Sequence, residues 1–266
     1  MMIWWSKVIK KGGLKLNEYN KIYHGDCLDI MDKLIDAGIK VDAIITDIPY
    51  GTTNCAWDSV IPFDNMWKRL KTLRKENTPI ALFGSEPFSS QLRLSNIKEY
   101  KYDWYWRKSK ANGFLNAKKM PLKDIETISV FYNKLPLYNP QDIIICTKEI
   151  INNKAKMDNS NHISGQNGGA IKSKNYIQES TNYPRQILDF PSVSRPHLGV
   201  QKPIQLMEYL INTYTKENDL VLDFTCGSGT TLCACIKNSR KYIGIEKNEQ
   251  IYNIAIDRIS GYIHLN

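Results

Sequence analysis

Asp47-Ile48-Pro49-Tyr50 sets a carboxylate, a carbonyl ahead of a rigid proline and an aromatic ring within four residues. Such a set could assist an exocyclic amine, a poor nucleophile because its lone pair is spread into a flat ring. Asp47 can accept one N–H of the amine and the Ile48 carbonyl the other, drawing the nitrogen towards a tetrahedral shape. Pro49 restricts the local backbone. Tyr50 can stack on a base that has left its duplex. An ordinary strand-to-loop turn uses the same residue types, so these four positions alone do not choose between the two readings.

A second cluster lies far downstream, in Leu220-Val221-Leu222-Asp223-Phe224-Thr225-Cys226-Gly227-Ser228-Gly229-Thr230-Thr231. It reads as a strand, a glycine turn and the start of a helix. Gly227 and Gly229 let the backbone approach a ligand closely, and the helix start offers unpaired N–H groups. Glu246 ends the next strand-like run, Tyr242-Ile243-Gly244-Ile245, 23 positions after Asp223. An acid about 20 residues beyond a first strand, at the end of the next, can accept both ribose hydroxyl protons. A tight turn followed by a surface glutamate gives the same pattern, and a nicotinamide cofactor fits it too. The spacing lacks the three-glycine form of a pyrophosphate loop.

The elements that must hold these clusters follow from the apolar pattern. Strand-like runs occur at 22–24, 41–46, 79–83, 100–106, 125–132, 220–224 and 242–245, and helical patterns at 28–37, 203–213, 230–238 and 250–259. Alternation of this kind predicts a doubly wound α/β fold with a mainly parallel sheet and helices on both faces. Both clusters then fall at carboxyl ends of strands, where open sheets of this class bind ligands. The organisation expected is an N-terminal extension over 1–19, a first half over 20–133, an insert over 134–195 and a second half over 196–266. In the insert, Asn152, Asn153, Asn159, Asn161, Asn167, Asn175 and Asn182 crowd together with Gly165, Gly168 and Gly169. Apolar periodicity fades there, which predicts loops and short contact elements.

Charge is placed unevenly along the 266 residues. Residues 101–195 hold 15 Lys+Arg against 8 Asp+Glu, a balance of +7, whereas the remainder holds 21 against 19. A basic segment in a nearly neutral body suits a polyanion, although a solvated lysine-rich surface has the same composition. No apolar run reaches the roughly 18 residues of a membrane span, and the N-terminal residues lack a signal-type apolar core, so a cytoplasmic protein is expected. The six cysteines include no Cys-x-x-Cys pair and read as buried free thiols, with neither zinc nor disulfides.

Taken in order, these motifs resemble the beta group of amino-DNA methyltransferases, S-adenosyl-L-methionine-dependent enzymes that methylate adenine N6 or cytosine N4. That family carries an Asp/Ser/Asn-Pro-Pro-Tyr catalytic motif before a Phe-x-Gly-x-Gly cofactor motif, with target recognition between them. Gly25-Asp26-Cys27, Gln201-Lys202-Pro203, Trp104-Tyr105-Trp106-Arg107-Lys108 and Tyr183-Pro184-Arg185-Gln186-Ile187-Leu188 fit as well, so the resemblance spans ~20 to ~260. It implies a seven-stranded methyltransferase sheet with an inserted target-recognition segment. It implies catalysis by Asp47, Ile48, Pro49 and Tyr50. It implies cofactor contacts from Asp26, Cys27, Asp47, Lys202, Asp223, Phe224, Thr225, Cys226, Gly227, Gly229, Thr230, Thr231, Glu246 and Lys247. For DNA it implies Arg107, Lys108, Lys110, Lys118, Lys119 and Arg185, with Lys123 in the same run. No metal site is expected.

Asp47 at the head of the first motif favours adenine N6, since cytosine-N4 enzymes more often carry Ser there. Cytosine N4 stands as the alternative, followed by an RNA base methyltransferase and a binding module without turnover. The implied partner is duplex DNA, with no membrane, and the family admits a homodimer and a cognate restriction endonuclease. Ile48 departs from the family's first proline, which costs little where the position lends only its carbonyl. Thr225 stands where the family has Phe, which leaves an aromatic wall beside the cofactor absent or supplied by Phe224. His197, Trp4 and Trp5 read as packing residues. Trp57 and Asp58 read equally as the border of a base pocket or as structural.

Overall fold

A computed structural model describes residues 19–52, 58–150, 176–194 and 201–264. Trp4, Trp5, Trp57 and His197 lie outside the described residues. By packing, the chain divides into a large unit (residues 1–139 with 185–266) and a small one (residues 140–184).

The large unit is built on β1 (Lys21–His24), α1 (Cys27–Asp36), β2 (Ala43–Thr46), α2 (Phe63–Leu73), β3 (Ile80–Gly84), α3 (Phe88–Ser95), β4 (Tyr100–Asn112) and β5 (Lys123–Phe131). After the small unit, which holds β6 (Ile144–Ile150) and β7 (Tyr176–Thr181), it resumes with β8 (Ile187–Asp189), α4 (Ile204–Tyr214), β9 (Leu220–Asp223), α5 (Thr230–Lys237), β10 (Lys241–Glu246) and α6 (Glu249–His264). Eight strands form one sheet in the order β1-β10-β9-β2-β3-β5-β4-β8. Strands β1, β10, β9, β2 and β3 run parallel, and β5 reverses against both β3 and β4. The sheet exceeds the expected seven strands by one: β8, from within the 134–195 stretch, adds to β4 in parallel with Tyr105 opposite Ile187.

The strands are apolar on both faces because helices cover both. Ala43 and Ile45 point to the side where Leu206, Leu210 and Ile211 of α4 and Leu232 of α5 pack. Ile44, between them, points to the other side, against Met31 and Leu34 of α1 and Met66 and Leu70 of α2. A strand buried twice reads as a continuous apolar run, which is why its position was legible in the sequence. In the small unit, β6 and β7 pair antiparallel with Ile144 opposite Thr181. The expectation of loops and short elements there did not include this pairing.

The strand order matters most for function. Adjacent parallel β2 and β9 pair Ile44 with Leu222, so Asp47 and Asp223 lie just beyond or at neighbouring carboxyl ends. On the far side of β9, β10 brings Glu246 opposite His24 of β1, just ahead of Asp26. Four acidic positions widely separated in sequence thus line one edge of the sheet.

Candidate active site

The turn after β2 is held from several directions. Asp58 accepts the backbone N–H of Tyr50 and of Gly51, each at 2.8 Å, on Oδ1, and that of Thr52 at 2.9 Å on Oδ2. A carboxylate taking three amides folds the segment after Tyr50 back on itself, which assigns Asp58 the structural role. Gly51 has φ +66, and a Cβ there would lie 2.8 Å from Val60 Cγ2, so the position requires glycine. On the other side, the Thr225 hydroxyl donates to the Asp47 carbonyl at 3.1 Å. Ile48 buries its side chain against α1 and α2, while its carbonyl makes no hydrogen bond among the described residues. The turn therefore presents the Ile48 carbonyl and the Asp47 carboxylate as acceptors and keeps the Asp47 carbonyl occupied.

Asp47 is part of a charge cluster. The Tyr50 hydroxyl donates to its Oδ1 at 2.6 Å, and the Lys202 ammonium pairs with its Oδ2. Lys202 Nζ also faces Glu126 Oε2 at 3.2 Å, and Lys108 Nζ reaches Glu126 Oε1 at 3.1 Å. The side chains of Lys202 and Lys108 are each only 8% exposed, so these are pairs in low dielectric rather than surface contacts. Two carboxylates and two ammoniums balance. Burial pushes the Asp47 carboxyl up, and Lys202 draws it partly back. Burial acts against the charge on Lys202 too, but Asp47 and Glu126 outweigh it and keep the ammonium protonated. For Glu126, Lys202 and Lys108 overcome burial and hold the carboxyl below its usual range. Each oxygen of an ionised carboxylate has more than one acceptor site, so Asp47 can still take an amine proton beside its present partners. The Tyr50 ring stacks on Phe88 at 5.3 Å, which fixes its plane.

The turn after β9 carries Gly227 at φ +52 and Gly229 at φ +76, the latter capping α5. Arg258 of α6 clamps the turn, donating to the Ser228 carbonyl at 3.0 Å and the Thr230 hydroxyl at 2.9 Å. Asp223 is buried. It accepts from the Thr46 hydroxyl at 2.6 Å and the Thr225 amide at 3.3 Å, and burial pushes its carboxyl up to about 6. Glu246 takes the Gly227 amide on one oxygen at 3.1 Å and the Asn248 amide on the other at 2.8 Å. Burial raises its carboxyl and those amides offset it in part. Each oxygen keeps capacity for one hydroxyl proton, the chemistry a ribose diol needs. Asp26 caps α1 by accepting the Leu28 amide at 2.9 Å and pairs with exposed Lys247 at 3.1 Å. Burial acts against the charge on Asp26, but Lys247 and the amide hold its carboxyl low. Cys27 opens α1, its thiol pushed up to about 12 by burial and then by Asp26.

Several expected site residues have other work. Phe224 is fully buried among the residues packed on α1 and α2 and cannot supply an aromatic wall at the sheet edge. Cys226 and Thr231 are likewise buried, and the Thr231 hydroxyl serves Asp223. Lys108, expected on DNA, is committed to Glu126. Arg107 donates from Nε and Nη2, one edge of its guanidinium, to the two oxygens of Asp189, at 2.5 and 2.8 Å. Lys110, Lys118 and Lys119 make no ion pair among the described residues, and Arg185 is exposed. Glu126 and Arg258 were missed, while Asp58, open between a pocket border and a structural role in the sequence, takes the structural one. Only Glu126 had a signal: in a period-two strand it shares a face with Ile128 and Val130, and Lys108 one with Trp104 and Trp106. A lysine and a glutamate in phase with buried residues on paired strands imply a buried ion pair.

Comparison with known proteins gives a consistent picture. Residues 41–257 match the N6_N4_Mtase family model, described as DNA methylase. Type II methyltransferase M.HindIII of Haemophilus influenzae is 35% identical over 130 residues, 48% of this chain and 41% of that protein. Type II methyltransferase M1.MboII of Moraxella bovis is 27% identical over 90% of this chain and 95% of its own length. The chain thus spans under half of the first relative and nearly all of the second. Among solved structures, an M1.HpyAVI–SAM complex superposes with a TM-score of 0.62 at 24% identity, covering 90% of this chain and 98% of that one. The cytosine-N4-specific PvuII DNA methyltransferase gives 0.60 at 14% identity, covering 92% and 91%. At these identities the two structures speak for the fold.

Proposed function

Because the chain belongs to the DNA methylase family, we propose that it transfers a methyl group from S-adenosyl-L-methionine to an exocyclic amine of a base flipped out of duplex DNA, and that the amine is adenine N6. The observation that carries this reading is the pair of acceptors at the end of β2, the Asp47 carboxylate and the Ile48 carbonyl, the latter without a hydrogen bond among the described residues. Both are immobilised by Asp58, Thr225 and Lys202. Two acceptors held in place suit the two protons of an amino group and require no reorganisation as the nitrogen becomes nucleophilic.

The residues along the edge fit the cofactor. Glu246 would take the ribose hydroxyls, the Gly227–Gly229 turn would let backbone lie against the ligand, and Asp26 would meet the adenine end. The methyl donor arrives already activated as a sulfonium. The protein's part is therefore to place the amine, exclude water and receive charge at Asp47. Lys202 keeps the Asp47 carboxylate in its accepting form against the cost of burial. Tyr50, oriented by Asp47 and Phe88, would stack on the base.

The preference for adenine rests on Asp47 heading the motif, and it is tested by incubating the chain with plasmid DNA and S-adenosyl-L-methionine. Mass spectrometry of the digested nucleosides should show N6-methyladenine. N4-methylcytosine alone would overturn the adenine assignment and leave the amine chemistry intact, whereas methylated RNA in place of DNA would move the substrate class. We place target recognition in residues 134–195. Exchanging that segment with a relative's should change which site is modified, and an unchanged site refutes the placement. Self-association as a homodimer is read by light scattering of the purified chain. A partner endonuclease is read by cleavage of unmethylated but not methylated plasmid.

A further inference from the structure

The β4–β5 hairpin ends in a tip that the chemistry above does not use. Beyond the register pair Arg107–Ile125 the strands run irregularly to Asn112–Lys123, and a short 3-10 turn over Phe114–Asn116 closes the tip. Phe114 is 80% exposed, Leu115 99% and Met120 52%. Large apolar side chains so fully in water, at the end of a projecting hairpin, do not serve this chain's core. Their surroundings are cationic: residues 107–123 contain six Lys+Arg and no Asp or Glu. Arg107 and Lys108 are neutralised by Asp189 and Glu126, while Lys110, Lys118 and Lys119 have no carboxylate partner among the described residues. An apolar tip on a segment whose lysines have no carboxylate partner among the described residues fits a polyanion with an apolar interior, which describes stacked bases between phosphates. A second copy of this protein would have to neutralise the same lysines.

The hairpin's root fixes where that polyanion lies. Trp104 and Trp106 anchor β4 in the core, and Lys108 and Glu126 join β4 and β5 to Lys202 and so to Asp47. The pair of strands that ends in the tip thus also carries Lys108 and Glu126, which join it through Lys202 to Asp47. Resting on the methylase reading above, we infer that the tip is a DNA wedge. Phe114 and Leu115 insert between base steps beside the target, and Lys110, Lys118 and Lys119 hold the flanking phosphates. Apolar wedges of this type unstack a step, and flipping a base carries an unstacking and unpairing cost that the inserted ring offsets.

The test starts from the target site mapped by sequencing of a plasmid modified by the wild-type chain, and uses two synthetic duplexes. One is fully paired, and the other carries an abasic position opposite the target, which removes most of the cost of flipping. For Phe114→Ala/Leu115→Ala, methylation of the paired duplex should fall by about tenfold or more, and on the abasic duplex the gap should close to roughly twofold. Lys118→Ala/Lys119→Ala should instead weaken binding to both duplexes alike and flatten its salt dependence. Wild-type turnover by the Phe114/Leu115 variant on the paired duplex overturns the wedge, and so does an equal loss on both duplexes. A change in oligomeric state of that variant, seen by light scattering, makes the tip a contact between copies and overturns it as well. Absence of methyl transfer to any DNA by the wild-type chain overturns the methylase reading itself, a result distinct from these.

Discussion

Asp223→Asn should make the protein more stable at neutral pH, and the amount can be worked from the site. Asp223 is 3% exposed, and burial raises its carboxyl from the ordinary 3.8 to about 6 despite hydrogen bonds from Thr231, Thr46 and the Thr225 amide. A pKa raised by folding means the folded chain binds that proton more tightly than the unfolded one. The stabilisation is therefore complete below about pH 4 and is lost as pH rises through about 6. The difference of ~2 pH units at ~1.36 kcal/mol each comes to about 3 kcal/mol, the cost of holding the ionised group in place at pH 7 and above. Asparagine keeps an acceptor for Thr46 and Thr225, offers an amide proton to the Thr231 hydroxyl and carries no charge. It should recover most of that amount, which for a chain of this size corresponds to a rise of roughly 6–12 °C in Tm. Urea unfolding of both proteins at pH 4.5, 6 and 7.5 isolates the effect, because other titrating groups cancel in the difference. The gap should be small at pH 4.5 and widen towards pH 7.5. A variant less stable at pH 7.5, or a gap that ignores pH, refutes the reasoning. A charge kept at such cost on the edge proposed for the cofactor has the pattern of a binding group, so calorimetry should show weaker S-adenosyl-L-methionine binding in the same variant.

Three further outcomes are expected. Asp47→Ala should abolish methyl transfer while cofactor binding persists, and near-native turnover would remove Asp47 from the chemistry. Lys202→Met leaves Asp47 and Glu126 facing each other without a cation between them, so stability should drop by about 3–5 kcal/mol. The Asp47 pKa should rise further, and the remaining activity should need higher pH; an unchanged pH–rate profile would detach Lys202 from Asp47. Glu246→Ala should weaken cofactor binding by ~1.5–3 kcal/mol through lost charge-assisted hydrogen bonds, and unchanged affinity would place the ribose elsewhere.

The turns were legible from residue types because their demands are local. Gly229 at φ +76 and Gly51 at φ +66 occupy conformations that few other residues tolerate, and Pro49 constrains its own φ wherever it sits. Strands β2, β3 and β9 were legible for a similar reason: burial on both faces leaves an unbroken apolar run. The strand order carried no such mark. Nothing in the spacing of β9, more than 170 residues after β2, says that it pairs with β2, yet that pairing sets Asp223 beside Asp47. The partners of Asp47 were hidden for the same reason. Lys202 is 155 residues away, and Glu126 and Lys108 meet it only because β5 pairs with β4 and both face α4. A lysine's charge is the same whether it will meet a phosphate in water or a carboxylate in the core. Lys108 and Lys118 therefore looked alike in the chain, and burial, which depends on how distant strands assemble, joined one to the Asp47 charge cluster and left the other exposed, with no carboxylate partner among the described residues.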